Sequence, residues 1–284
     1  MRKIEVSALI FCMNDQELLA LNAEGFIPGP GETEEAFLAR NRRAKEFFGA
    51  SVEKWIPKVH WHWVELQLKE IFDFQPAYLP AFYSNKSLAP WQGAACWIEG
   101  KSVSAIQLRC GLKKGSYLGF YGREEILAHE AVHAARCAFE ESSNEEFFAY
   151  MTSDKKWRRV LGPLIQKPWE IWPFFLLNIC AVLSRFSSLY VEGADEVSSC
   201  FFWLASCWGG VGFWRLVRQH LRLRRAGSCI LRRVKNSGIA RAVLFRLTDE
   251  EIWRFARGEL FESYAEKQSC LRWRLIRLAY LKDN

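Results

Sequence analysis

At 284 residues, 50% of them hydrophobic, the chain can bury one well-cored domain with an appendage, or two small domains; it has no internal repeat and no low-complexity run. The formal charge of +7 comes mainly from arginines after position 214, and no recognised nucleic-acid motif accompanies them, so a nucleic-acid partner is not expected. Nine cysteines, an odd number without a C-x-x-C pair, fit separate buried thiols in a reducing compartment better than a disulfide framework.

Met1-Arg2-Lys3 is a basic start, but Glu5 interrupts the apolar stretch behind it and residues 14–17 end it, so no signal peptide is expected. Residues 25–31, G-F-I-P-G-P-G, read as a rigid turn, and residues 32–48 as an amphipathic helix rich in charge. The Trp-rich stretch 52–99 is punctuated by Pro76, Pro80 and Pro90. Within it His60 and His62 alternate with Trp61 and Trp63, a pattern that predicts an aromatic strand with one histidine face. Residues 104–109 alternate as a short strand, and residues 111–115 turn the chain before 116–121.

From residue 123 to 139 the chain has five alanines, no Gly and no Pro, and opens on Arg123-Glu124-Glu125, where acidic side chains suit the positive end of a helix dipole. This predicted helix carries His129-Glu130-Ala131-Val132-His133. Two histidines four apart lie about 40° apart on a helix with a rise of about 6 Å, so both imidazoles can face one metal ion. Glu130 flanks the pair, where a carboxylate can take a proton from water on that ion. With only five histidines in the chain, such a motif arises by chance in about one chain of this kind in a hundred. A catalytic zinc site needs a third protein ligand, and no further histidine lies nearby. A second helix is expected from Glu145, after a turn over residues 140–144, and offers Glu145 and Glu146. Ser142 with Glu145, or Ser143 with Glu146, also has the spacing of a capping box. Arg136, Tyr121 and Tyr150 read as salt-bridge or packing residues, or as donors to an oxyanion. Cys137 reads as a buried thiol rather than a ligand.

The motif together with Glu146-Phe147-Phe148-Ala149 resembles the gluzincins, zinc metallopeptidases in which H-E-x-x-H is followed by a glutamate on a second helix; integral-membrane members carry that glutamate in an E-x-x-A context. The resemblance covers about thirty residues. It implies His129, His133 and Glu146 as ligands of Zn2+, Glu130 as general base, and a peptide or protein as substrate. It also implies a strand edge beside the active-site helix for substrate to pair with; residues 104–109 are the candidate edge, with a core strand as the equal alternative.

Two apolar stretches follow. Residues 171–184 read I-W-P-F-F-L-L-N-I-C-A-V-L-S, and residues 197–214 run eighteen positions without a charge, the length of a membrane span. Trp169, Trp172 and Trp214 stand near the expected interfaces. Lys155, Lys156, Arg158, Arg159 and Lys167 precede the pair, Arg215, Arg218, Arg222, Arg224 and Arg225 follow it, and the loop between holds Glu192, Asp195 and Glu196. That asymmetry predicts an integral membrane protein with both ends and the zinc motif in the cytoplasm, and a basic tail that meets membrane lipids; a buried helical hairpin in a soluble domain is the other reading of the apolar pair. Thr248-Asp249-Glu250-Glu251 caps a later helix, expected to run to about Ala265. The expected architecture is α+β: a zincin-like domain over 1–160, a two-helix membrane hairpin over 168–217, and a basic helical tail over 218–284. A non-catalytic membrane scaffold built on the same core is the rival expectation.

Overall fold

The computed structural model describes residues 13–49, 55–76, 78–119, 121–140 and 143–281. It is α+β, 66% helix with few strands. Helices α1 (Asp15–Ala23) and α2 (Glu34–Gly49) flank the glycine-rich turn, in which Gly25 and Gly31 take positive φ. Gly29 allows a close approach: a Cβ there would stand 2.5 Å from the carbonyl oxygen of Ala138.

Residues 60–63 do not form the strand expected of them. After Pro57 the chain makes a short 3-10 turn and enters α3 (His62–Phe72); Trp61 just before it and Val64, Leu68 and Phe72 within it are buried. The spacing of those four is helical, and it prevails over the two-residue alternation. Strands β1 (Ala81–Tyr83), β2 (Ala94–Glu99) and β3 (Ser102–Leu108) form one sheet in the order β1-β3-β2. The strand expected at 104–109 is present, but as the central strand, parallel to β1 and antiparallel to β2, so it offers no free edge. β2 takes the edge position instead. A small antiparallel pair, β4 (Ser116–Tyr117) and β5 (Tyr121–Gly122), leads into α4 (Arg123–Arg136). Then come a 3-10 turn at Cys137–Phe139, α5 (Glu145–Met151) and α6 (Lys156–Leu161).

α7 (Ile171–Ser187) and α8 (Ala194–Val234) follow. They run antiparallel: Ser198 donates to the carbonyl of Ala181, and Arg215 pairs with Glu170 at 2.7 Å. Of the two, α8 is long and apolar enough to cross a membrane; α7, at 17 residues, is shorter. The chain closes with α9 (Ser237–Phe245), α10 (Asp249–Ala256), α11 (Phe261–Lys267) and α12 (Leu271–Tyr280). The capping box at Thr248 and Glu251 forms as expected, but its helix ends early, at Ala256, and Gly258 turns the chain with φ 99°.

One hydrophobic core joins both ends of the chain: Leu18, Phe37, Leu68, Leu127 and Phe148 belong to the same buried cluster as Phe245, Ile252 and Trp273. The segment after residue 218, expected as an appended tail, therefore packs into the unit that carries the H-E-x-x-H motif. Arg136 is part of that join. It is fully buried, donates to the carbonyls of Phe245 and Leu247, and lies 4.1 Å over the ring of Phe139. These contacts give Arg136 the packing role of its two expected ones and commit its guanidinium to the join.

Candidate metal centre

α4 supplies three of the site residues, and its alanine-rich face lets the next helix come close. Ala128, Ala131, Ala134 and Ala135 are all buried. α4 stops at Arg136, tightens into the 3-10 turn, and reverses at Glu140, a non-glycine residue at φ 53°. This early stop removes the axial offset that a longer helix would put between Glu146 and the histidines, and α5 returns directly beside them. Asn144 precedes α5 without a side-chain cap; its side chain instead donates to Asp249 at 2.6 Å and accepts from Gln219. The capping box of Ser143 with Glu146 is therefore not used, and Glu146 is free for the site.

The Nε2 atoms of His129 and His133 stand 3.3 Å apart. Glu146 places Oε1 3.5 Å from Nε2 of His133 and Oε2 3.6 Å from Nε2 of His129. Ligands at about 2.0–2.2 Å from a tetrahedral zinc are separated by about 1.6 times that distance, about 3.3–3.6 Å. The spacing and the His, His, Glu donor set thus suit such an ion, and this trio is the candidate metal cluster among the described residues. Glu145 sits elsewhere: its carboxylate meets Nδ1 of His133 at 3.3 Å, on the side of the ring away from the cluster. That contact presents Nε2 as the free nitrogen, the arrangement by which an outer carboxylate orients a metal-binding imidazole.

Electrostatics follow from three carboxylates brought against two imidazoles. Burial disfavours the charged form of His129 and holds its pKa well below the usual range, with His133 and Arg158 adding to the effect. Burial opposes charge on His133 as well, yet the hydrogen bond to Glu145 and the fields of Glu146, Glu130 and Glu145 carry it up to about 9. Glu130 is pushed up to about 7 by burial, with Glu146 contributing, while His133 pulls the other way. A cation among these groups would offset the mutual repulsion of the carboxylates.

Tyr150 packs edge-on against His129, with ring centroids 4.8 Å apart, and burial raises its pKa to about 12. Gly162 backs it, since a Cβ at that position would fall 2.3 Å from the ring. Buried Arg158 lies over the rings of both Tyr150 and Tyr121 and pairs with Glu125 at 2.6 Å; Ser153 donates to the same carboxylate. Sequence reasoning named Tyr121 and Tyr150 but missed this support. One signal was present: Glu125 is four residues before His129, on the same helix face. Nothing local marks Arg158 or Gly162. Cys96 of β2 was also missed: β2 packs against α4, and burial with the fields of Glu130, Cys137 and Glu145 raises the Cys96 pKa. His60 lies 3.8 Å from Glu124 at the start of α4, and His62 begins α3, so neither joins the cluster. Cys137 donates to the carbonyl of Lys101, as a structural thiol. No family model, curated protein or solved structure matches this chain.

Proposed function

We propose that this chain is a membrane-associated zinc metallopeptidase, the activity that its resemblance to the gluzincins implies. The observation that carries the reading is the convergence of His129, His133 and Glu146 at separations of 3.3–3.6 Å, with Glu145 orienting one imidazole from behind. His129, His133 and Glu146 would hold the ion, which when bound supplies Lewis acidity that polarises a carbonyl and acidifies water. Glu130 then takes a proton from the attacking water and returns it to the leaving amine, a task suited to a carboxyl whose proton affinity burial has raised. Tyr150, kept protonated and packed on His129, donates to the developing oxyanion. The outer edge of β2, beside Glu130, receives an extended peptide as an added strand.

Membrane association rests on α8 and the surface it shares with α7. Only 11% of the most apolar eighteen-residue stretch of α8 is buried, whereas the core helix of a soluble domain is mostly covered. Phe175, Leu176 and Leu183 of α7 and Trp203, Val211 and Phe213 of α8 are all more than half exposed, as a lipid-facing pair of helices requires. We assign both helices to the bilayer, with the basic flanks and the metal centre on the cytoplasmic side.

Metal analysis beside a peptide-cleavage assay tests the reading. Purified protein should carry about one zinc per chain, and His129→Ala or His133→Ala should release it. Glu130→Gln should keep the zinc and lose at least about 10²-fold in turnover, about 2.7 kcal/mol. Undiminished cleavage by Glu130→Gln would overturn the peptidase and favour a scaffold; unchanged zinc in both histidine variants would remove the metal site itself.

A further inference from the structure

Beyond Trp214 the exposed face of α8 turns from apolar to basic, and α10 packs alongside it. Between the two helices lie two abutting hollows, about 460 and 510 Å³, that share Leu221, Arg225 and Ala256. Six arginines line them: Arg218, Arg222, Arg224, Arg225, Arg232 and Arg257. No acidic side chain lines either hollow, and among the described residues none of the six pairs with a carboxylate. The acids nearest in sequence are engaged: Glu250 and Glu259 by Arg254, Glu262 by Arg233. Six guanidinium groups along one groove repel one another, and an anion of high charge density relieves that repulsion.

We propose that this groove binds the polyphosphorylated headgroup of an anionic membrane lipid. Its position selects the source. The groove begins where the charge-free stretch of α8 ends, and its floor of Leu221, Phe255 and Ala256 is apolar. At 1.5 Å per residue, Arg218 to Arg225 lie about 6–17 Å past Trp214 along the axis. The headgroup layer on one side of a bilayer is only about 5–8 Å deep, so a single phosphate diester meets Arg218 alone while a projecting, multiply phosphorylated headgroup reaches Arg222 and Arg225. Nucleic acid fits less well, because stacking on bases needs open aromatic faces. Here one face of Trp214 is taken by Arg218 at 5.0 Å and one face of Trp253 by Arg257 at 4.4 Å. Guanidinium forks make paired, charge-assisted hydrogen bonds to phosphate oxygens, which suits arginine rather than lysine to this task. The assignment rests on the placement of α8 in the bilayer proposed above and, because the groove shares no residue with the metal centre, not on peptidase activity.

Calorimetric titration of the full chain in a neutral detergent tests the proposal. The probes are dioctanoyl phosphatidylinositol bisphosphate, dioctanoyl phosphatidylserine, dioctanoyl phosphatidylcholine, free inositol trisphosphate, and a short single-stranded RNA. The bisphosphate lipid should bind about tenfold or more tighter than the serine lipid and than the free headgroup, with no binding of the choline lipid. Arg222→Gln/Arg225→Gln should lose about tenfold or more for the bisphosphate lipid, while Lys58→Gln/Lys86→Gln, which line neither hollow, should not. Should the double variant fail to fold, Arg225→Gln, at an exposed position, takes its place. Equal binding of both anionic lipids, free headgroup as tight as lipid, tighter RNA, or an undiminished double variant would each overturn the assignment.

Discussion

Glu145 and Glu146 occupy adjacent positions on α5 and meet His133 on opposite sides of its ring. Glu146 faces Nε2 with His129, and Glu145 faces Nδ1. A helix turns about 100° per residue, so neighbours cannot both point into one cluster, and this separation assigns the inner and outer roles. Glu145→Gln should therefore keep the fold but weaken zinc affinity about 10–100-fold, measured by competition with a chelator; an unaltered affinity would show that the Nδ1 contact does not tune the ligand. Glu251 illustrates a second role visible only at the residue scale. Besides closing the capping box on Thr248, it accepts from both terminal nitrogens of Arg272, at 2.7 and 2.9 Å, and from Nε1 of Trp273 at 2.6 Å. Burial raises its pKa, but the bonds from Arg272 and the others outweigh burial and hold it below the usual carboxylate value. A carboxylate with a depressed folded-state pKa contributes stability that is present above its unfolded pKa and lost as pH falls through the folded one. Thermal melts should accordingly decline on acidification below about pH 4.5, and Glu251→Gln should flatten that decline. Glu251→Ala should cost about 3–5 kcal/mol at neutral pH by stranding Arg272; a cost under about 1 kcal/mol would show that water replaces the pair.

At the scale of elements, the site depends on where α4 stops. Had it continued through Ser142, Glu146 would lie about 7 Å along the axis from His133. The break at Arg136 and the left-handed residue Glu140 shorten that path, and the close packing of Ala138 on Gly29 holds the break in place. The short helix α6 and the turn after it hold the other side, since Gly162 abuts Tyr150. Gly162→Ala should push Tyr150 off His129, costing about 1–3 kcal/mol of stability as overpacking and lowering turnover with zinc retained. Wild-type turnover in that variant would remove Tyr150 from the oxyanion role. The sheet decides between the two readings of residues 104–109, edge strand or core strand. Alternating hydrophobicity located β3 but could not reveal that β1, more than twenty residues upstream, pairs along its other side. Alternation reports which faces a strand buries, and edge position is a property of the sheet order.

Across the whole molecule, the segment after α8 and the motif-bearing half share one core. Arg246 makes the join concrete: fully buried, it donates to Asn22 at 2.8 Å and to the carbonyl of Phe72 at 2.9 Å, while Arg274 pairs with Asp15 and Glu34. Such a unit, with the apolar arm of α7 and α8 projecting from it, is expected to stay with membranes after a carbonate wash. Recovery in the soluble fraction would mean that another protein surface, not lipid, covers the arm. Arg158 also changes meaning at this scale. Counted along the chain it is one of the basic residues flanking the apolar pair, yet folded it is buried against Glu125 and contributes little to topology.

The H-E-x-x-H helix, the second helix at Glu145, the capping box at Thr248 and the charge-free stretch before Trp214 were legible in the sequence. Each is written in spacings shorter than one helix or in unbroken composition, and local hydrogen bonding and side-chain periodicity enforce such patterns wherever the segment lies. The side of His133 that each glutamate takes, the burial of Arg136 beneath Phe245, the network of Glu125 with Arg158, and the central place of β3 were decided by the tertiary structure alone. All of them join residues brought together by chain reversals and by desolvation of charged groups, and burial is a property of the assembled core that no short stretch of chain encodes.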